Sequence, residues 1–534
     1  MRAHVALTLL SAVLWLQPPG VLPQPSRSGP DGPPRPFGFQ PPSGLAPPHT
    51  ARAIVRAQDR ALLRGPFPDN GLVRGVSDGT LLLSEHAAVR ELAFKRIGAA
   101  GATVVRIPVN WRDIAPASPP AGFQASDPSS PGYDFARIDA AVSDAVAAHL
   151  EPLLVVSHAP AFAEAPHRWA FAYPGSWAPD PAALHDFAVA LARRYDGSFA
   201  DPLVPGALLP RVRLLQAWNE PNLPRYLEPQ WVVQGRHWSA FSPLLYRQML
   251  NSFYAGVKSV EPADTVVAAG LAPTGDPAGV GRMAPLPFLR STLCLERAAR
   301  CAQPARFDVL AFHPLSVANP DLPAPSALDV SISDAAKITA LLRRAERLHT
   351  VRPAGAKPVW VTELNWQSAP QSPGGVPARL QARWVSRALH RLWVAGIQLV
   401  DWQFLIDPYP ALRLADPTGA TLELARPAGL YLPGAGGDPA LARPKAFLTG
   451  FALPFDPLRV DRARVRVWAL LTRAGEPVRL QRRWRSGRWL TVARLHADGH
   501  GVLNVLVALR GAMHLRLCLR GGALSSAVAS VGWR

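Results

Sequence analysis

The sequence predicts an α/β fold, a (β/α)₈ (TIM) barrel followed by a small all-β, sandwich-like C-terminal domain. Three observations carry this. Eight short, continuous apolar runs alternate with helical patterns between residues 61 and 455, and buried runs joined by crossover helices imply a parallel sheet. Eight such units are the number that closes a barrel, with function at the C-terminal strand ends. After Pro454 the texture changes to short β-rich runs separated by Gly, Pro, Asp or Ser, which reads as a separate all-β unit.

The chain opens with Arg2 and an apolar run of twelve, Val5–Leu16. That is the size of a secretory h-region and short for a membrane span. Residues 1–20 are therefore read as a signal peptide, or as an N-terminal membrane anchor if uncleaved, and the protein as secreted. Residues 21–60, rich in Pro and Gly, read as a linker.

The strands are expected at Leu72–Val76, Thr103–Val109, Pro152–Ser157, Val212–Asn219, Thr265–Leu271, Phe307–His313, Pro358–Leu364 and Ile397–Phe404. Residues 84–99, 134–149, 181–195, 243–260, 333–349 and 378–394 space their apolar positions by three to four, as helices do. The eighth helix is placed near 439–450. In residues 456–534 the β runs are 464–471, 477–483, 489–495, 502–508, 513–519 and 526–531. Phe447, Phe451 and Phe455 lead into this domain with almost no linker, so it is expected to pack firmly on the barrel.

With 48% hydrophobic and 18% charged residues over 534 positions, the chain is not a disordered polyelectrolyte. Its net charge of +19 comes from 52 arginines and only five lysines, a skew that suits GC-rich coding. Residues 456–534 carry 15 arginines against four acids, a net +11. No nucleic-acid motif accompanies that charge. It is read first as solvated arginine faces, and second as a patch for anionic cell-wall polymers. Three cysteines exclude a disulfide scaffold and a thiolate metal site. Cys294 and Cys301 could close a small loop in an exported protein, leaving Cys518 unpaired. No metal-ligand spacing or phosphate-binding Gly loop occurs, so neither metal nor cofactor is expected.

Two acids stand where such a barrel places its chemistry. Glu220, in Ala217-Trp218-Asn219-Glu220-Pro221-Asn222, ends the fourth strand, and Glu363, in Trp360-Val361-Thr362-Glu363-Leu364-Asn365-Trp366, ends the seventh. Carboxyls facing each other across a barrel mouth are what glycosidic cleavage needs, one to donate a proton and one to attack or to activate water. Trp111, Trp169, Trp177, Trp231, Trp238 and Trp366 follow strand ends; they suit a carbohydrate cleft, or anchor loops.

Trp218-Asn219-Glu220-Pro221 with Val361-Thr362-Glu363 resembles the clan-A retaining glycoside hydrolases, most like families five and thirty-nine, over residues 70–455. The resemblance implies a (β/α)₈ glycosidase acting on a β-linked oligo- or polysaccharide. Glu220 would be the acid/base and Glu363 the nucleophile. Asn219 would bind the sugar 2-hydroxyl, Arg106 would keep Glu363 ionised, His158 and His313 would bind substrate, and Trp402 would floor the sugar subsite. The family's Tyr after the sixth-strand His is missing: the sequence reads His313-Pro314-Leu315-Ser316. A non-catalytic carbohydrate-binding barrel is the rival reading, and a transglycosidase would use the same residues.

Overall fold

A computed structural model describes residues 48–296, 301–316, 318–408, 413–415, 421–423, 427–484, 486–519 and 524–532. The apolar run Val5–Leu16 lies outside them. Among the described residues no helix is long and apolar enough to cross a membrane.

Eight parallel strands close the barrel in sequential order: β1 Val73–Ser77, β2 Val104–Asn110, β3 Glu151–Ser157, β4 Leu214–Ala217, β5 Thr265–Leu271, β6 Val309–Phe312, β7 Val359–Leu364 and β8 Ile397–Gln403. Residues that alternate along the strands fill two different spaces. Val104, Leu153, Val155, Leu214, Val267, Val309, Ala311 and Leu399 plug the barrel. Their neighbours, such as Val105, Ile107 and Val400, face the surrounding helices in a second, larger cluster. Because both faces of each strand are apolar, the runs are continuous rather than alternating.

The helix Ala378–Val394 lies where expected. Others differ in instructive ways. The eighth helix is only Ala446–Ala452, because Pro444 holds Arg443 extended and the two pair with Tyr431–Leu432 as a short ladder. A helix at Pro285–Thr292 lies where the apolar spacing predicts none; its prolines sit in the first turn, where a missing N–H is tolerated. The range read as linker, 21–60, ends within a helix from Pro48 to Leu63, anchored by Asp59, which pairs with Arg387 at 2.8 Å. Cys294 and Cys301 are bridged, and Cys518 is buried and free.

The C-terminal unit is a sandwich of two antiparallel sheets. The three-stranded sheet contains β9 Phe455–Arg459, β10 Arg464–Leu470 and β13 Val502–Ala508. The four-stranded sheet contains β11 Pro477–Arg483, β12 Trp489–His496, β14 Met513–Leu519 and β15 Ala529–Val531. Strand β9 was hidden by Pro457, which fits there because β9 is an edge strand.

The three-stranded sheet is fused to the barrel. Trp468, Leu470 and Val502 belong to the barrel's own apolar cluster. His390 stacks on Trp468 with centroids 4.6 Å apart and contacts Asp456 at 2.7 Å. Arg387 meets the same Asp456 oxygen at 3.0 Å. Arg74 donates to the carbonyls of Phe451 and Ala452 at 2.7 and 2.8 Å. The firm packing expected from the short linker is thus realised through an apolar seam with a buried ionic centre.

Candidate active site

Glu220 and Glu363 meet at the C-terminal mouth of the barrel, although neither is placed by regular strand geometry. Strand β4 stops at Ala217, and Trp218 and Glu220 take positive φ angles of 75° and 40°. Non-glycine residues rarely adopt that region. The turn is held from several sides. Tyr246 Oη donates to the carbonyl of Ala217 at 2.8 Å, Trp218 Nε1 to that of Tyr226 at 2.8 Å, and Glu220 N to that of Gly270 at 3.2 Å. Strand β7 slips by one residue relative to β8 between Val361 and Leu364. Such a bulge re-aims side chains, and here Thr362 and Glu363 both reach the barrel's interior groups.

A second bulge does the same for His313. Strand β5 slips against β6 at Gly270, whose φ is 69°. A Cβ at Gly270 would lie 2.8 Å from His313 Nε2 and 2.7 Å from Gln216 Nε2. Only glycine leaves room for this histidine.

The side chains form one connected set. Arg106, the cation inside β2, reaches Glu363 Oε1 from Nη1 at 2.8 Å and donates from Nη2 to Asn219 Oδ1 at 2.6 Å. That leaves the Asn219 amide to face a ligand. His313 Nδ1 meets Glu220 Oε1 at 2.9 Å and lies 3.8 Å from Glu363 Oε2, while its Nε2 meets Thr362 Oγ1 at 3.0 Å. Burial pushes Glu220 up to about 7, against the pull of Arg106 and Arg225. Burial also lowers His313 to about 4, opposed by Glu363. At neutral pH the imidazole is therefore uncharged.

Glu220, His313 and Glu363 offer ligand-type atoms within 4.8 Å of one another. A divalent cation among them would sit against the guanidinium already on Glu363, and like charges at this range repel strongly. The set suits a carboxylate pair better than a metal cage.

The structure thus joins Glu220, Glu363, Arg106, Asn219 and His313. His158 lies at the rim: it has a φ of 54°, its Nδ1 is 2.9 Å from Ser157 Oγ and its ring centroid is 5.1 Å from that of Tyr226. Trp402 does not join. It is fully buried on the outer side of β8, its ring 5.2 Å from Phe447, and it donates to Ala428 O at 3.0 Å. It is core, not a sugar floor. The six loop tryptophans also divide. Trp111, Trp177 and Trp366 are buried anchors and Trp231 is half-buried, whereas Trp169 and Trp238 are exposed.

Two residues of the site were not singled out from the sequence. Tyr226, six positions after Glu220, feels the charge of both glutamates and of Arg106, and burial raises its hydroxyl to about 12. Its closeness in sequence to Glu220 was the available signal. Asp401, the other, projects into the barrel from β8. Its register partner on β1 is Gly75, where a Cβ would come within 2.5 Å of Asp401 Oδ2. The Asp401 carboxyl is fully buried, with the Ser77 hydroxyl and the Arg106 charge beside it as partial compensation, and a buried carboxylate so weakly compensated is disfavoured in its ionised form.

Burial accordingly raises Asp401 well above the usual carboxylate range, against Arg106. A group raised in the fold favours folding fully below its unfolded value, and that contribution is lost as pH rises through the folded value. Asp401→Asn is therefore expected to melt above wild type at neutral pH, the advantage vanishing by about pH 3. Calorimetry across pH checks this; a lower melting temperature at neutral pH would show that the carboxylate is ionised and paired.

No family model matches the sequence, and no curated protein does. Among solved structures the chain is similar to a family 39 glycoside hydrolase from Bacteroides cellulosilyticus, with 17% identity, 82% of this chain and 81% of that one covered, and a TM-score of 0.49. A monomeric β-xylosidase from Caulobacter crescentus gives 13% identity, 84% and 96% coverage, and a TM-score of 0.46. A glucosidase from Croceicoccus marinus gives 13%, 84%, 95% and 0.42. Likenesses this distant assign neither activity nor substrate. The fold assignment rests on strand order and register, and the chemistry on the side chains above.

Proposed function

We propose that the protein is a retaining glycoside hydrolase that cleaves a β-linked glycan by double displacement. The observation that carries this reading is the approach of Glu220 and Glu363, whose facing oxygens lie within 4.8 Å of each other. Retaining enzymes separate these carboxyls by about 5–5.5 Å and inverting ones by about 6.5–9.5 Å, which leaves room for a water.

The environments assign the roles. Glu220, raised to about 7, holds a proton at neutral pH and gives it to the glycosidic oxygen as the bond to the anomeric carbon breaks. Glu363, carrying Arg106 on Oε1, attacks that carbon from the opposite face and forms a glycosyl ester. Water then attacks the same anomeric carbon from the face the leaving group vacated, the bond from that carbon to Glu363 breaks and frees the carboxylate, and Glu220, now a carboxylate itself, takes the water's proton. Neutral His313 supports the first step best with Nδ1–H donating to Glu220 Oε1 and the Thr362 hydroxyl donating to Nε2. Glu220 then keeps its own O–H for the leaving group. Asn219, fixed by Arg106, has its amide free for the sugar 2-hydroxyl. Export belongs to the same reading, and a bridged Cys294–Cys301 pair suits an oxidising compartment.

Proton NMR of early products from aryl β-glycosides tests the proposal. The β-anomer is expected first; direct appearance of the α-anomer would exclude double displacement. We also expect the rate on substrates with poor leaving groups to fall through one ionisation near pH 7, as Glu220 loses its proton. A basic limb indifferent to Glu220→Ala would remove that assignment.

A further inference from the structure

Among the described residues the sandwich's apolar seam with the barrel is made by the three-stranded sheet, and the outer face of the four-stranded sheet is a surface of its own. Val478, Leu480, Leu515 and Leu517 point into the sandwich core, so Arg479, Gln481, Arg483 and Arg516 point outward. Register places Arg479 opposite Arg494, Arg483 opposite Trp489, and Gln481 opposite Arg516. Arg483 and Arg494 are exposed, and Arg479, Trp489 and Arg516 half-buried. Arg516 Cζ sits 4.3 Å from the Trp489 ring centroid, and its Nε donates to Gln481 Oε1 at 2.9 Å.

The domain's four acids are all engaged elsewhere. Asp456 is buried against Arg387 and His390. Asp461 pairs with Arg464 at 2.6 Å, in the turn before β10. Asp498 accepts backbone N–H groups of His500 and Val502 at 2.8 Å each. Glu476 acts on Arg74, at the barrel seam. Among the described residues, none of the domain's acids neutralises the arginine face. Like charges directly opposite each other on a ladder are destabilising, yet Arg479 faces Arg494, and Arg479 Nε is buried without a hydrogen-bond partner.

We propose that this face, centred on Arg479 and Arg494, binds an anionic polysaccharide built of carboxylate-bearing sugars. Guanidinium forks match carboxylates in planar, two-bond geometry, and a carboxylate lying between Arg479 and Arg494 would relieve their repulsion. Trp489 supplies an apolar ring beside them for a sugar face. The choice of a glycan over other polyanions rests on the reading of the barrel as a glycosidase. The site would hold the enzyme on an acidic matrix while the barrel mouth works.

Native affinity electrophoresis of the full-length protein through gels containing polygalacturonate, a neutral β-glucan or duplex DNA tests this. Retention is expected in polygalacturonate alone, and it should weaken with added salt, since exposed charges are screened within about 8–10 Å. Arg479→Gln with Arg494→Gln should weaken retention about tenfold or more. Arg462→Gln with Arg473→Gln, which removes the same charge from turns away from the face, should change it less than about twofold. The first variant should melt no lower than wild type, because a like-charge pair is removed. Should it melt lower, Arg494→Gln alone is the deciding variant, with a severalfold loss expected. Equal losses from both double variants, or none, would overturn the site, and stronger retention by DNA would make it a nucleic-acid surface. None of these readouts uses catalysis. Failure of every glycoside to turn over would refute the barrel's assignment while leaving the gel result to stand or fall by itself.

Discussion

Glu363→Gln is expected to leave no measurable turnover of any glycoside, while the protein keeps its fold. The substituted amide retains the shape of the side chain but cannot form the glycosyl ester, so both activated and unactivated substrates lose the first step. Glu220→Ala should behave differently. On alkyl or sugar leaving groups the loss should be on the order of 10²–10⁴, the usual worth of a positioned proton donor. On dinitrophenyl glycosides, which leave without help, the first step should survive and the glycosyl-enzyme accumulate. Azide should then rescue turnover and give a β-glycosyl azide. Stopped-flow bursts and product analysis separate the two variants, and identical behaviour on activated substrates would dissolve the assignment of roles.

The second large effect concerns stability. Asp456→Ala should destabilise the fold by about 3–5 kcal/mol at neutral pH, because it leaves Arg387 buried beside a vacancy. Burial alone would raise Asp456, but Arg387 and His390 outweigh it and hold the group down to about 2. A depressed carboxylate stabilises the fold fully above its unfolded value near 3.8, and that contribution is lost as pH falls through the folded one. The gap between variant and wild type should therefore be open at pH 5 and above and narrow from about pH 4 towards 2. Trp468→Ala should cost about 3–5 kcal/mol in the same seam. The two changes should not add, since His390 touches both residues. Calorimetry of the single and double variants decides, and an unchanged melting temperature in Asp456→Ala would mean that the buried ionic centre contributes nothing to the seam.

The strands of the barrel were legible because burial on both faces writes them as unbroken apolar runs. Arg106 was reached through the family resemblance, although it is also the lone charge within Val104–Val109. The same continuity concealed the phase of each strand. In Ile397–Gln403 either face could be the interior, and Trp402 was assigned to the cavity when Asp401 occupies it. Bulges were equally invisible, since the slips at Gly270 and before Leu364 depend on neighbouring strands rather than on local sequence. Prolines misled in both directions: they masked Pro285–Thr292 and Phe455–Arg459, and they shortened the eighth helix. The glutamates themselves were legible through their Trp and Asn neighbours. Their hydrogen-bonded surroundings were not, because Tyr226 comes from a turn whose path only the folded chain defines.

The close approach of Gly270 to His313 has an evolutionary corollary. A side chain at residue 270 and an imidazole at residue 313 would claim the same space, so drift at one position constrains drift at the other. Among diverged descendants of this chain the two should covary. A lineage that acquires any larger residue at 270 is expected to have surrendered the histidine and, with it, the support of its proton donor. Such a lineage would keep the barrel's shape while its chemistry decayed, and the pair of positions would mark the branch where that happened.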